Sequence, residues 1–97
     1  METDLKVVYM INGLILVGER MTDEQGVYMR RVIGLVPGGQ GKLQTIEAFP
    51  FTNIDEKIRI EAGSFIAITE LDDVRLKSEY KNAIKKIREQ KSGLILP

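Results

Sequence analysis

The 97-residue sequence contains no cysteine and no histidine, and only three prolines. Without cysteine there is no disulfide and no thiolate nucleophile. Without histidine there is no side chain that ordinarily titrates near neutrality and no imidazole ligand, so most familiar hydrolase and zinc chemistries are excluded. Long apolar runs are also missing near the start, where Val7 to Ile11 is far too short for a signal-peptide core or a membrane span and follows an acidic Met1-Glu2-Thr3-Asp4. These absences read as a cytoplasmic protein with no membrane partner. Charge of one sign is lacking too, because 14 Lys and Arg balance 14 Asp and Glu.

What is present is ordinary for a folded domain: 43% hydrophobic and 29% charged residues, outside the regime in which chains stay disordered. The length suits a single domain with a thin core, to which docking on further copies of itself would add stability. Residues 5 to 11 and 14 to 17 are rich in β-branched and aliphatic side chains around Asn12-Gly13, which predicts a hairpin closed by a two-residue type I′ turn. Gly18 interrupts the second strand, as a bend or a close backbone approach requires. A third strand is expected over 27–36, ending at the loop Pro37-Gly38-Gly39-Gln40-Gly41. A fourth is expected over 42–51, ended by Phe49-Pro50-Phe51.

Strict alternation in Lys57-Ile58-Arg59-Ile60-Glu61 marks a half-buried strand. The stretch Ser64 to Thr69 carries no charge, unlike most solvent-facing edge strands, so both of its sides are expected to be paired. From Leu76 the period changes: Tyr80, Ala83, Ile84 and Ile87 follow at helical spacing, with Asp73 or Ser78 as N-cap and Gly93 as stop. Five or six short strands followed by one helix predict a mainly β small barrel over 1–75. The helix and the apolar tail Leu94 to Pro97 occupy 76–97, packed on that barrel or on a neighbour within a single domain.

The chemical candidates are few. Gly38-Gly39-Gln40-Gly41-Lys42 lacks the Ser or Thr and the following helix that a phosphate-binding loop needs, so it reads as a connection. The pairs Asp23-Glu24, Asp55-Glu56 and Asp72-Asp73 cannot complete a hard-cation shell alone and read as turn residues, with Asp73 a helix cap. No enzyme, cofactor or metal site is expected. Residues 1–77 carry nine basic and twelve acidic side chains, whereas 78–97 carry five and two, making the helix the basic end. Lys77, Lys81, Lys85 and Arg88 fall on one helical stripe that suits either phosphate contact or simple solvation, and the pI near 6.3 favours solvation. Among the aromatics, Tyr28 is the one best placed to reach a ligand.

Asn12-Gly13, Gly18 and Asp23 resemble the first Sm motif, and Ile58 to Ile68 is similar in apolar pattern to the second. Val17-Gly18-Glu19, Phe49-Pro50-Phe51-Thr52 and Ile66-Ala67-Ile68-Thr69-Glu70 resemble small Sm-like proteins of tailed phages, including those of marine cyanobacteria. The resemblance implies a strongly bent five-stranded SH3-like barrel. It also implies edge-to-edge assembly through the fourth and fifth strands into a cyclic homo-oligomer of roughly five to seven subunits, in the manner of closed head-to-tail rings. Such rings bind single-stranded RNA, which here implies contacts at Asp23, Gln25, Tyr28, Gly63 and Ser64, and an oligomer interface at Phe65, Ile66, Ala67 and Ile68. The expected role is in phage or host RNA metabolism, in the host cytoplasm if the chain is phage-encoded. The alternative is a scaffold or protein-interaction ring without RNA. Gln25 stands where the family usually places a base-stacking aromatic, Val27 where it places a base-reading Asn, and Ala62-Gly63-Ser64 where it places Arg-Gly-Asn/Asp.

Overall fold

In the computed structural model the described residues are 4–21 and 25–95, with side chains described up to 90. Six strands precede one helix: β1 (Leu5–Met10), β2 (Ile15–Arg20), β3 (Val27–Pro37), β4 (Leu43–Glu47), β5 (Ile58–Ile60), β6 (Phe65–Glu70) and α1 (Val74–Ile95). All pairings are antiparallel, in the order β4-β3-β2-β1-β6, with β5 paired to β3. The mainly β expectation holds, but the strongly bent five-stranded barrel is corrected to a six-stranded antiparallel sheet that is not closed, since no ladder among the described residues joins its ends. Two short strands share one border of β3: β4 pairs with Ile33 to Pro37 and β5 with Val27 to Met29. The segment between them leaves the sheet at Phe49-Pro50-Phe51, where proline removes a ladder donor, so the fourth strand stops at Glu47 rather than reaching residue 51.

The sheet curls because β3 carries a bulge. Between the pairs Val17↔Ile33 and Glu19↔Arg30, β3 has one residue more than β2. Arg31 adopts φ of 52°, a left-handed value that few side chains take. The extra residue shifts the alternation, so Met29 and Val32, three apart, share one core cluster. Opposite the bulge sits Gly18, whose missing Cβ would lie 2.9 Å from Val32 Cγ2 and 3.2 Å from the Arg30 carbonyl oxygen. Here glycine serves close approach of two strands, as its place in the second strand predicts.

Two apolar layers result. Leu5, Val7, Val17, Ile33 and Leu35 face Leu71 and the Tyr80, Ile84 and Ile87 stripe of α1. Val8, Leu16, Met29, Val32 and Ile60 fill the inside of the curl, with Phe65 and Ile68 at its margin. The β1–β2 hairpin is closed by three residues, not two: Gly13 N–H donates to the Met10 carbonyl, and only Gly13 takes positive φ, at 89°. Asn12 accepts from Leu14 N–H through Oδ1 at 3.0 Å, which fixes a type I turn followed by a left-handed glycine. The glycine-rich connection after β3 forms a short 3-10 turn over Gly39–Gly41, with Gln40 at φ of 61°. Helix α1 starts under Asp73, whose Oδ1 accepts from Leu76 N–H at 3.0 Å, so Asp73 and not Ser78 is the cap. The helix passes through Gly93 to Ile95, correcting the expected stop. The apolar tail lies outside the described side chains. No helix among the described residues is long and apolar enough to cross a membrane.

Candidate functional site

The register gathers the loops that the motif resemblance singles out. Val27 pairs with Ile60, so Gln25 and Gly26 leave the β3–β5 ladder at the same end as Glu61 to Ser64, while Tyr28, opposite Arg59, lies within it. Gln25 is exposed there, Tyr28 is half-buried and the Lys57 ammonium lies 5.0 Å from the centre of its ring. A cation over an aromatic face holds the ring in place, and a base stacking on that face would compete with it. Gly63 takes φ of 90° and lets the chain turn back, while Ser64 is tied down by its own turn, its Oγ and N–H both bonding to the Glu61 carbonyl. Asp23 lies outside the described residues. Thus Gln25, Gly63 and Ser64 lie at one end of the ladder, and the Tyr28 ring, met by Lys57 from the other end, reaches back to within 3.8 Å of where a Gly26 Cβ would stand.

The four expected interface residues divide by face. Phe65 and Ile68 turn toward the curled core and Ala67 is half-buried, whereas Ile66 is 73% exposed. Within the chain β6 pairs only with β1, so one of its borders is unpaired among the described residues, and the expected pairing of its second side would have to come from another molecule. At the other end of the sheet, β4 and β5 likewise pair only with β3, and β4 exposes Leu43 and Ile46. One molecule therefore presents two backbone borders at opposite ends of a sheet.

A polar cluster, not evident from motifs, sits at the bulge. Arg31 donates to Glu19 at 2.7 Å and to Asp55 at 2.8 Å, and Arg88 of α1 donates to the same Asp55 oxygen at 2.5 Å. Tyr80 donates its hydroxyl to the Arg31 carbonyl at 2.6 Å, while Arg31 N–H donates to the Ile54 carbonyl at 2.9 Å. The hydrogen bond from Arg88, outweighing partial burial, and the charge of Arg31 hold the Asp55 carboxyl below its ordinary value. Burial, reinforced by the nearby Glu19 charge, raises the Tyr80 phenol far above its ordinary value. The sequence signal for this cluster is Arg30-Arg31 inside an otherwise apolar strand, which a solvent-facing reading passes over. Among the described residues no group of three His, Cys, Asp or Glu is placed to hold a metal. No protein-family model matches the chain, and no curated protein matches it.

Proposed function

We propose that the chain is an Sm-like module that closes into a homo-oligomeric ring and binds single-stranded RNA on the rim carrying Gln25, Tyr28, Gly63 and Ser64. The observation that carries this reading is the pair of unpaired borders, β6 on one side and β4 with β5 on the other. A strand with one free border, uncharged from Phe65 to Thr69 and with an outward Ile66, is a template for strand addition. Because the two borders differ, the contact is head-to-tail, and repetition of one such contact about an axis gives a ring. In a ring the rim loops of successive subunits face one opening, and Tyr28 supplies an aromatic face for a base.

A second reading keeps the ring and replaces RNA with a protein partner, the module serving as a scaffold. Ala62 favours it, since no guanidinium stands there to stack or pair with a base, and the zero net charge adds no long-range attraction to nucleic acid. Native mass spectrometry together with titration of uridine-rich and adenine-rich oligonucleotides at about 50 mM salt separates the readings, since phosphate contacts are strongest at low salt. A closed oligomer that binds an oligonucleotide at micromolar protein supports the first reading. An oligomer that binds none supports the second, and a monomer rejects both.

A further inference from the structure

An open cleft of about 750 Å³ runs between α1 and the end of the sheet where β1 begins, β2 finishes and β3 bulges. Leu5, Tyr80 and Ile84 give it an apolar lining, and the remaining lining is charged: five cations against two carboxylates. The cations are not equivalent. Arg31 and Arg88 are held by Glu19 and Asp55 in the cluster described above. Lys77, Lys81 and Lys85 form no ion pair among the described residues, although Glu89 shares the cleft. Glu19, the other carboxylate, is taken up by Arg31 at 2.7 Å and by Arg30 at 3.6 Å. The pairing thus quenches Arg31, Arg88 and Glu19 and leaves three ammonium groups in a row on one wall, against the single carboxylate of Glu89.

We propose that this cleft binds a run of phosphates, with Lys77, Lys81 and Lys85 as its contacts. The three lysines stand four residues apart, which at about 1.5 Å rise per residue places successive ammonium stems about 6 Å apart along some 12 Å of helix. A lone phosphate cannot meet all three; a chain of phosphates can. Flexible ammonium groups suit such a ligand, because they follow a row of oxygens without demanding the planar geometry of a guanidinium. The shared chemistry has two sources, the phosphodiester backbone of a single strand and inorganic polyphosphate. The cleft lies wholly within one chain, so the proposal does not depend on ring closure or on the rim loops.

The test uses the full chain, a fluorescent inorganic polyphosphate and a fluorescent mixed-sequence RNA oligonucleotide, with affinities measured at about 50 and about 200 mM salt. Lys77→Gln, Lys81→Gln and Lys85→Gln are combined in one variant, and Lys42→Gln with Lys86→Gln, both outside the cleft lining, form the control. The cleft variant is expected to bind at least about tenfold more weakly, with a salt slope shallower by about 2, from about 0.7 for each phosphate of a single strand that a lysine no longer neutralises. The control should keep wild-type affinity, and both variants should keep the wild-type circular dichroism spectrum and native mass. Binding of polyphosphate alone identifies a free polyphosphate as the ligand, and binding of RNA that polyphosphate displaces identifies a nucleic-acid backbone; either supports the site. A wild-type chain that binds neither probe, a cleft variant within about twofold of wild type, or an equal loss in the control overturns it. Failure of the ring reading would show instead as a monomeric mass with polyphosphate binding intact.

Discussion

The phenolic hydroxyl of Tyr80, on α1, donates to the main-chain carbonyl of Arg31, on β3, at 2.6 Å. Those residues are 49 positions apart, and the bond pins the helix to the point where the sheet turns. Arg31 holds a left-handed conformation there, so its carbonyl is aimed away from the ladder and toward the helix. Conformations of this kind persist when surrounding contacts over-determine them. Here the contacts are Tyr80 on the carbonyl, Ile54 on the N–H, and Glu19 and Asp55 on the side chain.

Tyr80→Phe keeps the ring in the core and removes only the hydroxyl. It leaves the Arg31 carbonyl without that donor, at a cost of about 1–2 kcal/mol. For a domain of this size the melting temperature should fall by about 5–10 °C. The wild-type pH profile adds a second reading. The buried phenol is raised above its ordinary value, so its contribution is complete below about pH 10 and is lost as pH rises further, because the unfolded tyrosine ionises first. Denaturant midpoints across alkaline pH should therefore fall more steeply for wild type than for Tyr80→Phe.

Asp55 joins the segment between β4 and β5 to both the bulge and the helix, accepting from Arg31 and Arg88. Its side chain is 46% exposed, so the pairing is screened and is worth at most about 1 kcal/mol. The sign follows from its lowered ionisation: the contribution is present above the ordinary value of 3.8 and is lost as pH falls below it. Asp55→Asn should lower the urea midpoint modestly near neutral pH and by less near pH 3. An equal loss at both pH values would mean that the segment is held by packing rather than by this charge.

Gly18→Ala should be the more damaging substitution despite its size. The added methyl would stand 2.9 Å from Val32 Cγ2 and 3.2 Å from both the Arg30 carbonyl oxygen and Met29 Cε. Side chains can yield a little, but the Arg30 carbonyl belongs to the bulge and cannot move without opening it. Overpacking of this kind costs about 1–3 kcal/mol. Calorimetry on the variant measures it directly, and a stability equal to wild type would show that the bulge is free to relax.

Local pattern makes most of these elements legible. Alternation places Ile58 and Ile60, the change of period places α1, and the conflict between Gly18 and its strand signals the tight approach to β3. The hairpin loop is one residue longer than its pattern predicts because Asn12 is used through its side chain, as a cap on Leu14 N–H, and not through a left-handed backbone. The helix outruns its expected end because a glycine stops a helix only when it turns left-handed, and Gly93 stays helical. The cluster of Glu19, Arg31, Asp55, Tyr80 and Arg88 is out of reach for a different reason. It joins β2, β3, a loop and the helix across separations that only the curl of the sheet closes, and no short-range spacing encodes it. The three cleft lysines are visible as a stripe, but what distinguishes them from Arg88 is that Arg88 has a carboxylate partner, which only the folded chain supplies.

The borders of the sheet give the last prediction. Ile66 is 73% exposed on β6, so Ile66→Asp removes no buried contact within the chain, and the thermal stability of the isolated subunit should change by less than about 0.5 kcal/mol. If β6 adds to the β4 or β5 border of a second copy, the same aspartate is buried without a partner in every interface and acts once per subunit. A closed assembly magnifies it, because each contact in the ring is weakened at the same time. Native mass spectrometry and sedimentation should then show dissociation to smaller species at concentrations where wild type stays assembled, while circular dichroism is unchanged. An unaltered mass for Ile66→Asp would remove β6 from the interface, and with it the ring geometry that brings the Tyr28 rims together.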